Sequence, residues 1–196
     1  RYGAIAHSYN AGWTGTWSAT NCVFAYNNGL GSSGIAIANA VQNWTSVNCV
    51  YYGNVNGSSY GLIDYISNFT DINSIYWGNT GLIFSTPDRY GTKSITYSDV
   101  QPAGYAAGTG NISVEPLFLS TNETSSNFLK LSASSHCIDT GTFEGAPSDD
   151  MIDTSRPQPT SDAYNNFDMG AYEYGGPGFP QIVNLTTGQS YYNLDH

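Results

Sequence analysis

Charge is what this sequence has least of. Only 10% of its 196 residues are Asp, Glu, Lys or Arg, against about 25% in ordinary globular domains. Lys and Arg together number five and are scattered, against fifteen Asp and Glu, for a net charge of −10. A nucleic-acid surface needs clustered basic side chains opposite the phosphates, so no nucleic-acid partner is expected, and the case for an anionic membrane surface is weak for the same reason. No apolar run approaches the roughly 18 residues that a membrane-spanning helix requires. Three cysteines are an odd number and make no disulfide framework. No initiator Met or signal peptide precedes the opening RYGAIA, which reads as the inside of a repeat, and a longer precursor is expected. What remains is rich in Gly, Tyr, Asn, Ser and Thr. That composition, with no helix-period segment, predicts an all-β protein rather than a disordered one.

The strongest signal is repetition. WSATNCVFAYN (17–27), WTSVNCVYYGN (44–54) and FTDINSIYWGN (69–79) share one pattern at offsets of 27 and then 25 residues. KSITYSD (93–99) reads as a degraded fourth copy, with Ile95 in the column of Val23, Val50 and Ile75. A period of this length is the signature of a solenoid. A second column places Gly before a short apolar strand at Gly3, Gly34, Gly61 and Gly81. Each repeat therefore holds at least two short strands, stacked in parallel about 4.8 Å apart. Alternation divides the first column in two. A narrow interior favours the aliphatic residues Val23, Val50, Ile75 and Ile95 inside, and Phe24, Tyr51 and Tyr76 outside. Asn27, Asn54 and Asn79 recur at the turn that ends this strand, where stacked amides can bond from repeat to repeat and Asn tolerates a left-handed backbone.

These repeats resemble those of right-handed parallel β-helix proteins, the pectate-lyase-like superfold. The segments LKLSASSHCIDTG (129–141), DTSRPQP (153–159) and FDMGAYEY (167–174) resemble the C-terminal part of the "choice-of-anchor Q" type, with His136 in place of the usual Pro and Met169 in place of the usual Ile. The resemblance implies a right-handed parallel β-helix of about four to five coils over 1–118, closed by a C-terminal cap over 119–174. Leu129, Leu131, Ile138 and the aromatic residues of FDMGAYEY are expected to cover the final coil, with Asp139 and Asp168 holding backbone amides in Gly-flanked turns. GGPGFP reads as a linker, and the tail after it (to 196) resembles the first strand of a following β-helix module. The superfold hosts lyases, hydrolases, adhesins and inert spacers, so it does not fix a function.

Candidate chemistry is sparse. Lyases of this superfold use a Lys or Arg base beside clustered Asp/Glu. The available bases, Lys93, Lys130, Arg89 and Arg156, have no basic or acidic companions in their column. Asp64 and Asp71 could share a face as a carboxylate pair, but a solvated pair is the reading preferred. Of the three histidines, His7, His136 and His196, only His136 adjoins a thiol, and neighbours along a strand point to opposite faces. No catalytic residue is assigned. Cys22 and Cys49 share a column within disulfide range, and stacked free thiols fit that column as well. Asp149, Asp150 and Asp153 form an acidic loop whose oxygen ligands suit Ca²⁺, the one cofactor expected, rather than Zn²⁺; an empty, solvated loop is the alternative. Tyr51, Tyr76, Trp77 and Tyr97, with Tyr52 and Tyr105 nearby in the pattern, suggest an aromatic stripe that stacks on sugar rings or packs against protein. Asn43, Asn56, Asn68, Asn111, Asn122 and Asn184 begin Asn-x-Ser/Thr triplets, which arise by chance in such a composition but also suit a secreted glycoprotein.

The expected function is a non-catalytic structural or adhesive module of a large secreted or cell-surface protein. Its partners would be other modules of the same chain, surface polysaccharide or neighbouring surface proteins. The alternative is part of a carbohydrate-active enzyme or a carbohydrate-binding module.

Overall fold

A computed structural model describes residues 5–6, 15–29, 37–56, 61–84, 91–101, 108–158, 166–175, 182–183 and 190–191. These residues are all-β and include no helix, so none of them forms a helix long and apolar enough to cross a membrane. The strands are β1 (Ile5–Ala6), β2 (Thr16–Thr20), β3 (Val23–Ala25), β4 (Asn28–Gly29), β5 (Ile37–Val47), β6 (Val50–Tyr52), β7 (Val55–Asn56), β8 (Ile63–Ile72), β9 (Ile75–Trp77), β10 (Lys93–Thr96), β11 (Asp99–Val100), β12 (Ile182–Val183) and β13 (Ser190–Tyr191).

Two parallel sheets dominate. In the first, β1 and β2 lie beside β5, followed by β8 and β10; in the second the order is β3, β6, β9, β11. The register superposes the repeats residue on residue, with Trp17 against Trp44 against Phe69, and Val23 against Val50 against Ile75. The fourth copy is in a different register from the one its sequence suggests. Ile95 lies in β10 opposite Asp71, and Asp99 takes the place beside Ile75. Matching Ile to Val hid this, because the residue that actually continues the aliphatic column is a carboxylate.

Two corners connect the sheets. At the first, Asn21, Asn48 and Asn73 adopt φ of 52°, 50° and 60°, and Tyr97 follows at 48°. Asn is among the few residues with a side chain that visit this left-handed region at small cost. At the second corner the left-handed residues are Tyr26, Gly53 and Gly78. Asn27, Asn54 and Asn79 come one residue later and stack instead. Asn27 Nδ2 donates to Asn54 Oδ1 (2.9 Å), and Asn54 Nδ2 donates to Asn79 Oδ1 (2.8 Å). The backbone N–H groups of Asn27 and Asn54 donate to those same oxygens.

The division of inside and outside differs from the expected one. Phe24, Tyr51 and Tyr76 turn inward and stack with ring centroids 4.9 and 4.5 Å apart and planes within 7°. They share a core with Trp44, Ile66 and Phe69 of the first sheet. The spacing of parallel strands, about 4.8 Å, is close to that of stacked rings, so a column of aromatics fills this interior without strain. Val50 and Ile75 are also buried, but on the other face of the second sheet, against Leu129, Leu131, Cys137, Met169 and Ala171. Both faces of the second sheet are thus covered, and alternation along its strands separates two cores rather than core from solvent.

Residues 115–158 and 166–175 supply the second cover as a strap across the repeats, rather than a lid on the last one. Its anchors are the first-corner asparagines. Asn21 Nδ2 donates to Asp149 O (2.7 Å), Asn48 Nδ2 to Asp168 O (2.9 Å) and Asn73 Nδ2 to Thr142 O (2.7 Å). Gly170 N returns a bond to Asn73 O at 2.7 Å. A Cβ on Gly170, whose φ is 93°, would lie 2.8 Å from Ile75 Cδ1, so the strap lies directly on the sheet.

Candidate functional site

Where the strap leaves the second sheet, it encloses a groove of about 400 Å³. Tyr52 and Trp77, successive members of the column after the inward aromatics, form one wall. Phe118 of the strap meets Tyr52 edge-on, with centroids 5.6 Å apart, and Tyr26 meets Tyr52 the same way. Glu115 and the hydroxyl-bearing Thr121 and Ser132 complete the lining. Burial raises the phenol pKa of Tyr52, so it is protonated at neutral pH and able to donate. Half-buried aromatic faces beside a carboxylate and hydroxyls combine stacking surface with polar groups that fix orientation, as small-molecule sites commonly do.

Of the four aromatic residues expected to form a binding stripe, only Trp77 lines this groove. Tyr51 and Tyr76 are wholly buried in the first core. Tyr97 lies at the first corner with its ring over Gly110, where an added Cβ would be 2.4 Å away. Tyr105 lies outside the described residues. Tyr52, placed beside the stripe in the sequence pattern, is the one that joins Trp77. Both share parity along their strands with Val50 and Ile75, the column that faces the strap.

A polar cluster interrupts the first core. Asp71 is inaccessible to solvent. Ser74 Oγ donates to its Oδ1 at 2.7 Å, and Ser98 Oγ lies 3.1 Å from its Oδ2. Ser98 Oγ also lies 2.8 Å from Thr96 O, and one hydroxyl proton cannot serve both. A protonated Asp71 removes the conflict by donating to Ser98 Oγ, and burial accordingly raises its pKa to about 7. Nearby, Ser46 Oγ and Tyr51 OH are 2.8 Å apart, and the buried Tyr76 hydroxyl faces Asp71. Asp99, buried at the edge of the second core, is raised to about 6 by the same cause; it accepts from Val114 N and from the thiol of Cys137.

The acidic loop spends its oxygens on the fold. Asp150 is buried, and its carboxylate accepts from Ile152 N, Thr154 N and Glu173 N at 2.8–3.0 Å. Asp149 accepts from the hydroxyls of Ser148 and Ser155, and Asp153 is exposed with φ of 64°. No group of three or more His, Cys, Asp or Glu side chains converges as a metal site among the described residues. Of the three carboxylates in this loop, Asp150 is thus engaged by backbone amides. Next to it, Arg156 forms a fully buried ion pair with Glu173 at 2.6 Å and donates to Gly170 O at 3.0 Å. Asp168 accepts the N–H groups of Asp139 and Tyr174, and burial together with Glu173 raises its pKa.

The remaining candidate bases are held elsewhere. Lys93 Nζ donates to Ser67 O at 3.2 Å, Lys130 lies over the ring of Tyr172, and Arg89, His7 and His196 lie outside the described residues. His136 is exposed beside a buried Cys137. The side chain of Asp64, in β8, also lies outside them, so the Asp64–Asp71 pairing has no geometry to weigh.

The sequons divide sharply. The Nδ2 groups of Asn43, Asn68 and Asn111 donate to Thr16 Oγ1, Asn43 Oδ1 and Ile95 O. Asn122 is exposed, and its Oδ1 accepts both the N–H and the hydroxyl of Thr124. The Asn56 side chain and Asn184 lie outside the described residues. No family model, curated protein or solved structure matches the chain.

Proposed function

We propose that this chain is a right-handed parallel β-helix segment serving as a non-catalytic structural or adhesive module of a large secreted or cell-surface protein, joined to other modules of the same chain. The observation that carries this reading is the side-chain stacking. Asn27–Asn54–Asn79 and Phe24–Tyr51–Tyr76 each run through three repeats in register. The strap then bonds to the corner asparagines of those same repeats. Side chains that bond and stack from one repeat to the next make the array continuous along its axis, which suits a load-bearing or display role. The test is incubation with a panel of acidic and neutral polysaccharides, followed by sizing of the polymer. Unchanged chain length is expected. Depolymerisation that disappears in an Asp or Lys variant of this chain would overturn the proposal.

The groove favours a second reading, a carbohydrate-binding module. Trp77 and Tyr52 offer stacking faces, and Glu115 with the neighbouring hydroxyls offers acceptors and donors for sugar hydroxyls. On this reading Trp77→Ala weakens retention on an immobilised polysaccharide about five- to thirtyfold, since losing a ring stack with its buried area costs about 1–2 kcal/mol. Equal retention of both proteins on every polymer that binds the parent chain would remove the groove from consideration.

A further inference from the structure

Just after the first corner, one column contains Cys22, Cys49, Ser74 and Ser98 in successive repeats. The two cysteines are flanked by in-register pairs on both sides, Thr20 with Val47 and Val23 with Val50, and Val50 N donates to Cys22 O at 2.9 Å. Their Cα atoms are therefore one strand spacing apart, about 4.8 Å, within the range of roughly 4.4–6.8 Å that a disulfide spans. Both are free thiols. Their surroundings differ in a way that matters chemically. Cys22 is half-buried at the first repeat, while Cys49 is inaccessible to solvent. The Cys22 sulfur lies 3.2 Å from Thr20 O, and the Cys49 sulfur lies 3.4 Å from Val47 O and 3.5 Å from Ala19 O.

We propose that Cys22 and Cys49 form a dithiol redox site that exchanges with a small-molecule disulfide to close a cross-strand bond between the first two repeats. Cys22 is the attacking group. It is the accessible member, and the Cys49 thiol beside it lowers its pKa, which raises the fraction present as the reactive thiolate. Its sulfur attacks one sulfur of the external disulfide, forming a mixed disulfide and expelling one thiolate. The first expelled thiolate takes the proton of Cys49, whose thiol form burial favours; the Cys49 thiolate then attacks the Cys22 sulfur and expels the second small thiolate, which picks up the proton Cys22 had released. The balance is two protein thiols and one external disulfide giving one protein disulfide and two small thiols. Cys137 takes no part, because it is buried in the other core with its thiol against Asp99.

The site is independent of the groove and of any binding role. The test begins with the whole chain, reduced and desalted, then incubated folded with oxidised glutathione. Thiols are counted after denaturation, and intact mass is measured. The proposal expects one remaining thiol of the three, a mass lower by two hydrogens, and a non-reduced peptide map joining the segments that contain Cys22 and Cys49. Cys49→Ser should stop at a stable glutathione adduct on Cys22, and Cys22→Ser should leave both remaining thiols unreacted. Three surviving thiols, a glutathione adduct that persists in the unsubstituted chain, or a bond to Cys137 would each overturn it. The unsubstituted chain decides the matter even if a variant fails to fold.

Discussion

Asp71 makes the stability of this protein depend on pH in the sense opposite to common acid denaturation. Its carboxyl is inaccessible to solvent and its pKa lies near 7 rather than the ordinary 3.8. Between those values the folded chain holds a proton that the unfolded chain has released. The stability contributed is therefore complete below about pH 4 and is lost as pH rises to about 7. Over the whole window the difference is worth about 4 kcal/mol, at about 1.4 kcal/mol for each pH unit. Between pH 5 and pH 8 about 2–3 kcal/mol of it should disappear. Asp99 and Asp168 titrate nearby, so the measurement has to be a difference of differences. Asp71→Asn keeps the shape, lets the amide accept from Ser74 and donate to Ser98, and cannot ionise. Urea unfolding followed by tryptophan fluorescence at pH 5, 6, 7 and 8 should show the variant gaining about 2–3 kcal/mol on the parent chain from the lowest pH to the highest, with little dependence on salt because the group is buried. A stability of the variant minus that of the parent that stays constant with pH, or that falls as pH rises, would refute the argument.

Two other outcomes are expected. Asn54→Ala removes an amide that donates to Phe24 O and Asn79 Oδ1 and accepts two N–H groups from Asn27, leaving buried partners unsatisfied. A loss of about 2–4 kcal/mol in the urea midpoint analysis is predicted, against almost none for the exposed Leu119→Ala. Treating the folded chain with an oligosaccharyltransferase and a lipid-linked donor should modify Asn122 and spare Asn43, Asn68 and Asn111, as read by peptide mass. Modification of any of those three in the folded state would contradict the hydrogen bonding described.

The repeat itself was legible because its columns are read directly from the sequence: an Asn recurs wherever an amide must bond to its own copy one repeat away. The inward direction was not. A rule that separates core from solvent has no purchase on a strand whose two faces are both buried, and Tyr51 beside Val50 is such a case. The fourth register failed for a related reason, since Asp99 continues a column of Val and Ile only because Cys137 and the Val114 amide meet its carboxylate. The groove was half legible: Trp77 stood out as an aromatic, but its companions Glu115 and Phe118 arrive from the strap, and no local pattern ties residue 77 to residue 118. The same distance hid the role of Asn21, Asn48 and Asn73, whose partners lie 69 to 128 residues along the chain.

That strap changes how such an array can gain or lose units. In an open stack each unit touches only its neighbours, so copies can be inserted or deleted with small penalty and folding can spread from any point. Here the asparagines of three consecutive units are each fastened to a fixed place in one later segment. Adding a unit between them would shift every downstream anchor out of step with the segment that spans them. The number of units beneath the strap is thereby counted by the strap itself, and growth of the array by duplication is confined to positions outside its reach.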